Sequence, residues 1–216
     1  MKVIAVNGSP RKKWNTATLL EHALKGAASQ GAATELVHLY DLDFKGCISC
    51  FACKQVGGKS EGRCAVVDGL TPVLNTINEE ADVIILGSPI YFGAMSGEMH
   101  SFWERLLFAP FIYSNPPRSI FPRRIRTGFI YTMNIAEKFS IERGYEGMFK
   151  TNEAYLKMVF GHSATFCAYD TCQMADFSKV VMEYIDPVHK LARREQAFPR
   201  ECERAFEFGR VLAGAE

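Results

Sequence analysis

The stretch KVIAVNGSPRKKWNTAT, residues 2–18, carries two signals in succession. Lys2 to Asn7 is a short apolar, β-branched run that stops at Gly8, as a strand covered on both faces does. A polar loop follows. Then TATLLEHALKGAASQ places Leu19, Leu20, Ala23, Leu24 and Ala27 on one helical face, with Gly31 as the stop signal. A buried strand, a polar loop and an amphipathic helix predict an α/β fold.

Outward from this stretch the alternation continues. TELVHLYDL, ADVIILGSP, RRIRTGFIYTM and SATFCAYDT read as four further strands. LTPVLNTINEE (with Pro72 in its first turn), SGEMHSFWERLLF, YEGMFKTNEAYLKMVFG (closed by Gly161) and a long C-terminal region read as helices. Five strands joined by helical crossovers predict a doubly wound parallel sheet in the flavodoxin-like order 2-1-3-4-5. A chain of 216 residues fits one domain, 1–216, carrying a cysteine-rich loop at 47–64 and an aromatic, proline-rich loop at 108–124. Four prolines exclude FAPFIYSNPPRSIFPRR from regular helix or central strand. Its apolar character calls for cover by the active site or a second subunit, so a homodimer or homotetramer is expected.

A formal net charge of +1 creates no global field for nucleic acid or an anionic membrane. No apolar run approaches the roughly 20 residues of a membrane helix. The first residues enter a strand with no leader before it, which predicts a cytoplasmic protein with reduced cysteines.

Ligands of open parallel sheets bind at the carboxyl ends of the strands. The first such end has neither GxGxxG nor GxxxxGK[ST]. It offers Ser9, Arg11, Asn15, Thr16 and Thr18 around a helix N-terminus, a composition suited to a phosphate monoester. The competing reading is that Asn15 or Thr16 only caps the helix and Arg11 is solvated. The third strand runs into Pro89, Ile90, Tyr91, Phe92 and Gly93, which offer a flat ring a wall and backbone N–H groups, unless the aromatics are core or interface residues. Together the two loops point to a mononucleotide with a planar ring system.

The stretch CISCFACKQVGGKSEGRC, residues 47–64, supplies Cys47, Cys50 and Cys53 at a spacing that lets three thiolates face one point, and Cys64 after ten further residues with glycines at 57, 58 and 62. Three readings stand: a 4Fe-4S cluster on all four, thiols without metal, or zinc, which prefers two separated pairs. Cys167 and Cys202 read as buried hydrophobes, while Cys172 ends the fifth strand and can approach a ligand. The five histidines show no metal spacing. The Arg pairs at 123–124 and 193–194 read as surface charge.

NGSPRKKWNT, CISCFACK, GRCAVVDGL and ILGSPIYFGAMSG, in this order, resemble the NADPH-dependent FMN reductase family of flavodoxin-like proteins, and within it the iron–sulfur flavoprotein branch. The resemblance spans roughly residues 1–135. It implies FMN, with its phosphate at Ser9, Arg11, Asn15 and Thr16 and its isoalloxazine at Pro89, Tyr91, Phe92 and Gly93. It also implies Thr132, Met133 and Asn134 on the other side of the ring, and Arg118, Arg123 or Arg124 as candidates for the 2′-phosphate of NADPH. Trp14 departs from the family's usual glycine, the fourth loop lacks a glycine pair, and the gap before Cys64 is longer than the branch usually shows. The implied activity is an FMN-dependent oxidoreductase with no side-chain acid or base. It would pass electrons between NAD(P)H, or a reduced ferredoxin-type donor, and a quinone, flavin or protein acceptor, with a 4Fe-4S cluster as an added relay. The alternative is a flavodoxin-like electron carrier with no small-molecule substrate.

Overall fold

The computed structural model describes residues 1–214. Five strands, β1 (Lys2–Asn7), β2 (Ala33–His38), β3 (Val83–Tyr91), β4 (Ile125–Thr132) and β5 (Gly161–Ala168), form a parallel sheet in the order β2-β1-β3-β4-β5. This is the predicted order. A two-residue strand, Ala94–Met95, folds back antiparallel on the end of β3.

Successive side chains of a strand point to opposite faces, so β1 divides between two cores. Ile4 and Val6 join Ile84, Leu86, Phe129 and Tyr131 beneath α2 (Thr71–Glu79), α3 (Gly97–Phe108) and α5 (Tyr145–Phe160). Val3 and Ala5 join Val83, Ile85, Ile130 and Phe166 beneath α1 (Asn15–Ala28) and α7 (Phe198–Ala213). Burial on both faces is why the central strands are apolar throughout. The α1–α7 crossing depends on two glycines. A Cβ on Gly26 would lie 1.9 Å from the Phe206 carbonyl oxygen, and one on Gly209 would lie 1.8 Å from that of Ala23.

Several boundaries differ from the sequence reading. β2, an edge strand, ends at His38, and the chain turns away through a 3-10 turn at Leu39–Asp41. β5 starts at Gly161, which is left-handed (φ 101°) and serves both as the end of α5 and the start of the strand. A six-residue helix, α4 (Glu137–Glu142), was not anticipated. The 108–124 segment is irregular apart from a hairpin pairing Phe111–Ile112 with Arg118–Ser119, in keeping with its prolines. Beyond β5 an irregular strap over 169–186 leads to α6 (Pro187–Ala192), a π turn at Arg193–Ala197 and α7. Among the described residues no helix is long and apolar enough to cross a membrane.

Candidate functional site

Asn7, fully buried at the end of β1, shapes the turn that follows. Its side-chain oxygen accepts from the Ser9 N–H (3.0 Å), and its amide donates to the Ser9 carbonyl (3.2 Å). Ser96, the N-cap of α3, donates to the Gly8 carbonyl at 2.5 Å and so ties this turn to the next helix. α1 then starts at Asn15 behind Trp14, an N-cap residue with no acceptor to offer. The capping reading of Asn15 and Thr16 is therefore not realised. Their side chains point elsewhere: Thr16 Oγ1 pairs with Thr132 Oγ1 at 2.8 Å, and Asn15 Nδ2 donates to the Cys172 carbonyl at 2.8 Å.

One cavity is lined by residues from four strand ends. Ser9, Arg11, Trp14, Asn15 and Thr16 come from the first loop, and Pro89, Ile90 and Tyr91 from the end of β3. Thr132, Met133 and Asn134 follow β4, and Thr171 and Gln173 follow β5. Most of the sequence candidates thus meet. Three do not. Thr18 lies a turn into α1 and is absent from the lining. Phe92 and Gly93 form the tip of the β3 hairpin with φ of 50° and 83°, and the Phe92 ring is fully exposed. The turn geometry carries both of them away from the cavity.

Thr171, Gln173 and the strap around them were missed. The signal was Trp14, the residue that departed from the expected pattern. Its Nε1 donates to the Cys172 carbonyl (3.0 Å), beside the bond from Asn15. Arg11 donates to the Gln173 carbonyl, and its guanidinium lies 4.4 Å from the Trp14 ring. Arg194 lies 4.0 Å from the same ring and donates to Asn15 Oδ1 at 3.3 Å. The first loop and the strap are therefore clasped together, and the 193–194 pair is not idle surface charge. Arg193 donates to the Tyr169 carbonyl and approaches Asp170. The Cys172 thiol is buried and donates to Met174 O, so it is the carbonyl of this residue that meets the first loop.

Asp170 (φ 55°) anchors the strap. It accepts from His189 Nε2 at 2.7 Å and from buried Lys190, whose ammonium also donates to the Asn134 carbonyl at 2.6 Å. Burial opposes the Asp170 charge, but Lys190 and His189 prevail and hold its carboxyl below the ordinary value. Arg123 and Arg124 sit elsewhere. Arg123 binds the Ile77 and Asn78 carbonyls at the end of α2, and Arg124 that of Gly161. These contacts lie at the amino edge of the sheet, which removes both from any role at the carboxyl edge. Arg118 is exposed on the hairpin.

The cysteine stretch docks on the second half of α3. Cys47, Cys50, Cys53 and Cys64 all line one small cavity, closed by Ile48, Phe51, Ala65, Val66, Phe108 and Ala109 and by the charged side chains of Glu104 and Arg105. Ser49 and Phe51, between the first three cysteines, are left-handed at φ 53° and 57°. Non-glycine residues rarely adopt this conformation, and here it curls the backbone so that the thiols share one side. The Cys47 N–H donates to Glu104 at 3.0 Å, and Lys54 donates to the carbonyls of Phe108, Ala109 and Phe111 at the end of α3. The return to Cys64 is compact: Gly62 N–H bonds Cys53 O (3.0 Å) and Gly58 N–H bonds Gln55 O (2.9 Å), so the glycines serve tight turns instead of a slack linker. Burial pushes the Cys53 thiol up against the opposing charge of Lys54, and the other three cysteines add to the rise. All seven cysteines are free. Among the described residues no group of three or more His, Cys, Asp or Glu side chains converges as a site for a metal ion.

No residue lines both cavities. Ser96 at the start of α3 supports the turn beside the first, and Arg105 borders the second, about 14 Å further along the helix at 1.5 Å per residue. The two cavities are therefore separate sites within one chain. A third cavity, of about 500 Å³, adjoins the cysteines between α3, α5 and the 108–124 hairpin. Trp103, Phe108, Phe111, Tyr113 and Tyr155 make its lining mostly apolar, and the charged side chain among them is the carboxylate of Glu104, which does not suit a phosphate.

Comparisons with known proteins place these features in context. The family model described as NADPH-dependent FMN reductase matches residues 1–118. The chain is 41% identical over 105 residues to an iron-sulfur flavoprotein of Methanocaldococcus jannaschii, covering 49% of this chain and 51% of that protein. It is 37% identical over 105 residues to one of Archaeoglobus fulgidus, covering 49% and 48%. The chain thus matches about half the length of these curated relatives. Among solved structures it is similar to an NAD(P)H:quinone oxidoreductase from Methanothermobacter marburgensis (TM-score 0.70, 13% identity, 98% of each chain). It is also similar to an FMN-dependent NADH-azoreductase from Bacillus anthracis in complex with FMN (TM-score 0.63, 12% identity, 99% and 100% covered). At these identities the structural likeness shows the shared fold.

Proposed function

The chain belongs to the NADPH-dependent FMN reductase family, and from that premise we propose that it is an FMN-dependent oxidoreductase whose four clustered thiols hold a 4Fe-4S cluster. The observation that carries the flavin assignment is the meeting of four strand-end loops in one cavity at an N-terminus that no side chain caps. In this reading Ser9, Arg11, Asn15 and Thr16 bind the FMN phosphate together with the free N–H groups of the first turn of α1. Pro89, Ile90 and Tyr91 form one wall for the ring, and Met133 and Asn134 the other. The Lys190–Asn134 bond fixes that second wall. Bound FMN supplies the chemistry, accepting hydride from NAD(P)H and releasing electrons singly or in pairs. The cavity lining contains no carboxylate, histidine or lysine, which suits a transfer that asks no side chain to move a proton.

The cysteine cavity fits a cluster on this chain's own features. Four thiols line one space, two left-handed residues turn the backbone around it, its remaining walls are largely apolar, and the Arg105 Nε–H points at Cys64 Sγ from 3.3 Å. A cluster there exchanges single electrons. Reduced thiols suit a cytoplasmic setting. The exposed Tyr113 and the apolar groove beside the 108–124 hairpin support self-association as a dimer or tetramer. The test of the activity is anaerobic mixing with NADPH or NADH, watching the flavin absorbance. Bleaching within seconds is expected, and flavin left oxidised by both nucleotides rules out a nicotinamide donor.

A further inference from the structure

We infer that Arg105 is the positioning residue of the cysteine site: it closes the neck of the 47–64 loop and, through Cys64, raises the reduction potential of the group the four thiols hold. This rests on the cluster reading above. Arg105 lies in the third turn of α3 and is 2% exposed. A cation buried so deeply needs acceptors around it, and it has them. Nη1 donates to the Lys45 carbonyl (3.2 Å) and to the Asp68 carboxylate, Nη2 to the Val66 carbonyl (3.1 Å), and Nε to Cys64 Sγ (3.3 Å). Lys45 precedes Cys47 by two residues, and Val66 follows Cys64 by two. One planar guanidinium therefore joins both sides of the neck and directs a further N–H at a ligand sulfur. This accounts for how a cysteine eleven residues beyond Cys53 rejoins the other three. Only a fork reaches all of these acceptors at once; the ammonium of a lysine is a point charge with one locus.

The electrostatic consequence follows from the same contacts. Taking up one electron from a one-electron reductant, with no proton, adds one negative charge to the cluster and its sulfurs. An N–H···S bond and a buried positive charge both stabilise that added charge, and burial spares them from screening by water. Asp68 opposes part of this charge and holds the guanidinium in place, and Asp68 is itself fixed by the Leu70 N–H (3.0 Å). Loss of Arg105 and loss of Asp68 should therefore move the potential in opposite directions.

The test compares the wild type with Arg105→Lys, Arg105→Gln and Asp68→Asn, all prepared anaerobically. FMN, iron and acid-labile sulfide are counted per chain, the dithionite-reduced EPR spectrum is recorded, and the midpoint potential is measured with redox mediators. FMN content reports folding. The expected result for Arg105→Lys is retained FMN, an altered EPR signal and a lower potential. The reduced-to-oxidised ratio at fixed ambient potential should change at least tenfold, about 59 mV for a one-electron couple. Asp68→Asn should raise the potential. Iron lost from Arg105→Gln while FMN stays supports the neck role. A purely structural role would not give shifts of opposite sign. Full iron with an unchanged potential in both Arg105 variants, or a shift of the same sign in Arg105→Lys and Asp68→Asn, overturns the inference alone. Wild-type protein with FMN but no iron overturns the cluster reading and this inference with it.

Discussion

Trp14 and Asn15 share one acceptor, the carbonyl of buried Cys172, and that sharing has a measurable signature. Asn15→Ala removes one donor, and with it the acceptor of the long 3.3 Å bond from Arg194, but leaves the carbonyl bonded to Trp14 Nε1, so the expected cost is about 1–2 kcal/mol. Trp14→Phe keeps an aromatic ring for Arg11 and Arg194 to stack on and removes only the N–H, at about 1 kcal/mol. The double variant leaves the carbonyl with neither donor. An unsatisfied buried acceptor costs about 1–3 kcal/mol more, so the pair should cost about 3–6 kcal/mol where additivity gives about 2–3. Urea unfolding of the FMN-free protein followed by circular dichroism measures all four corners of this cycle. Fluorescence quenching measures FMN affinity, which should fall at least tenfold in the double variant, about 1.4 kcal/mol. Additivity within about 0.5 kcal/mol, together with unchanged FMN affinity, would refute a clasp that closes the first loop.

Replacing Cys47, Cys50, Cys53 or Cys64 singly with Ser should strip iron and leave FMN bound, because the two cavities share no residue; FMN lost along with iron in all four would contradict this separation. Asp170 has its folded-state pKa depressed, so the stability it contributes is present above the ordinary value of 3.8 and is lost as pH falls from there through the folded value. Asp170→Asn should flatten that acid-side decline in urea midpoint, and an unchanged slope would count against the Lys190–His189 pairing. Sedimentation of the intact protein at micromolar concentration should give a dimer or tetramer, and removing residues 111–121 should change that state; an intact monomer ends the self-association reading.

The architecture was legible because physics repeats itself along this chain. Doubly covered strands must be apolar, and helices between them must carry one apolar face, so the 2–6 run, the Leu19–Ala27 face and the 83–86 run announced their places. The first loop's place in the cavity was legible for a similar reason: hydroxyls, an amide and a guanidinium gathered at a helix start suit a polar site and not a core. Phe92 was misplaced because a sequence gives its neighbours but not the sign of φ, and a left-handed turn sends the ring outward. The strap was hidden because its contacts with the first loop bridge more than 150 residues and end on backbone carbonyls, which carry no residue signature. Arg105 was hidden for the same reason. Three of its partners are oxygen atoms of Lys45, Val66 and Asp68, and only the fold brings them to one guanidinium.

The most direct measurement is cofactor stoichiometry after strictly anaerobic preparation: FMN, iron and acid-labile sulfide per chain. The account predicts about one FMN with about four iron and four sulfide. A chain that carries no FMN contradicts the site at the carboxyl edge of the sheet, and FMN with iron near zero reduces the protein to a cluster-free flavin reductase whose cysteines are thiols.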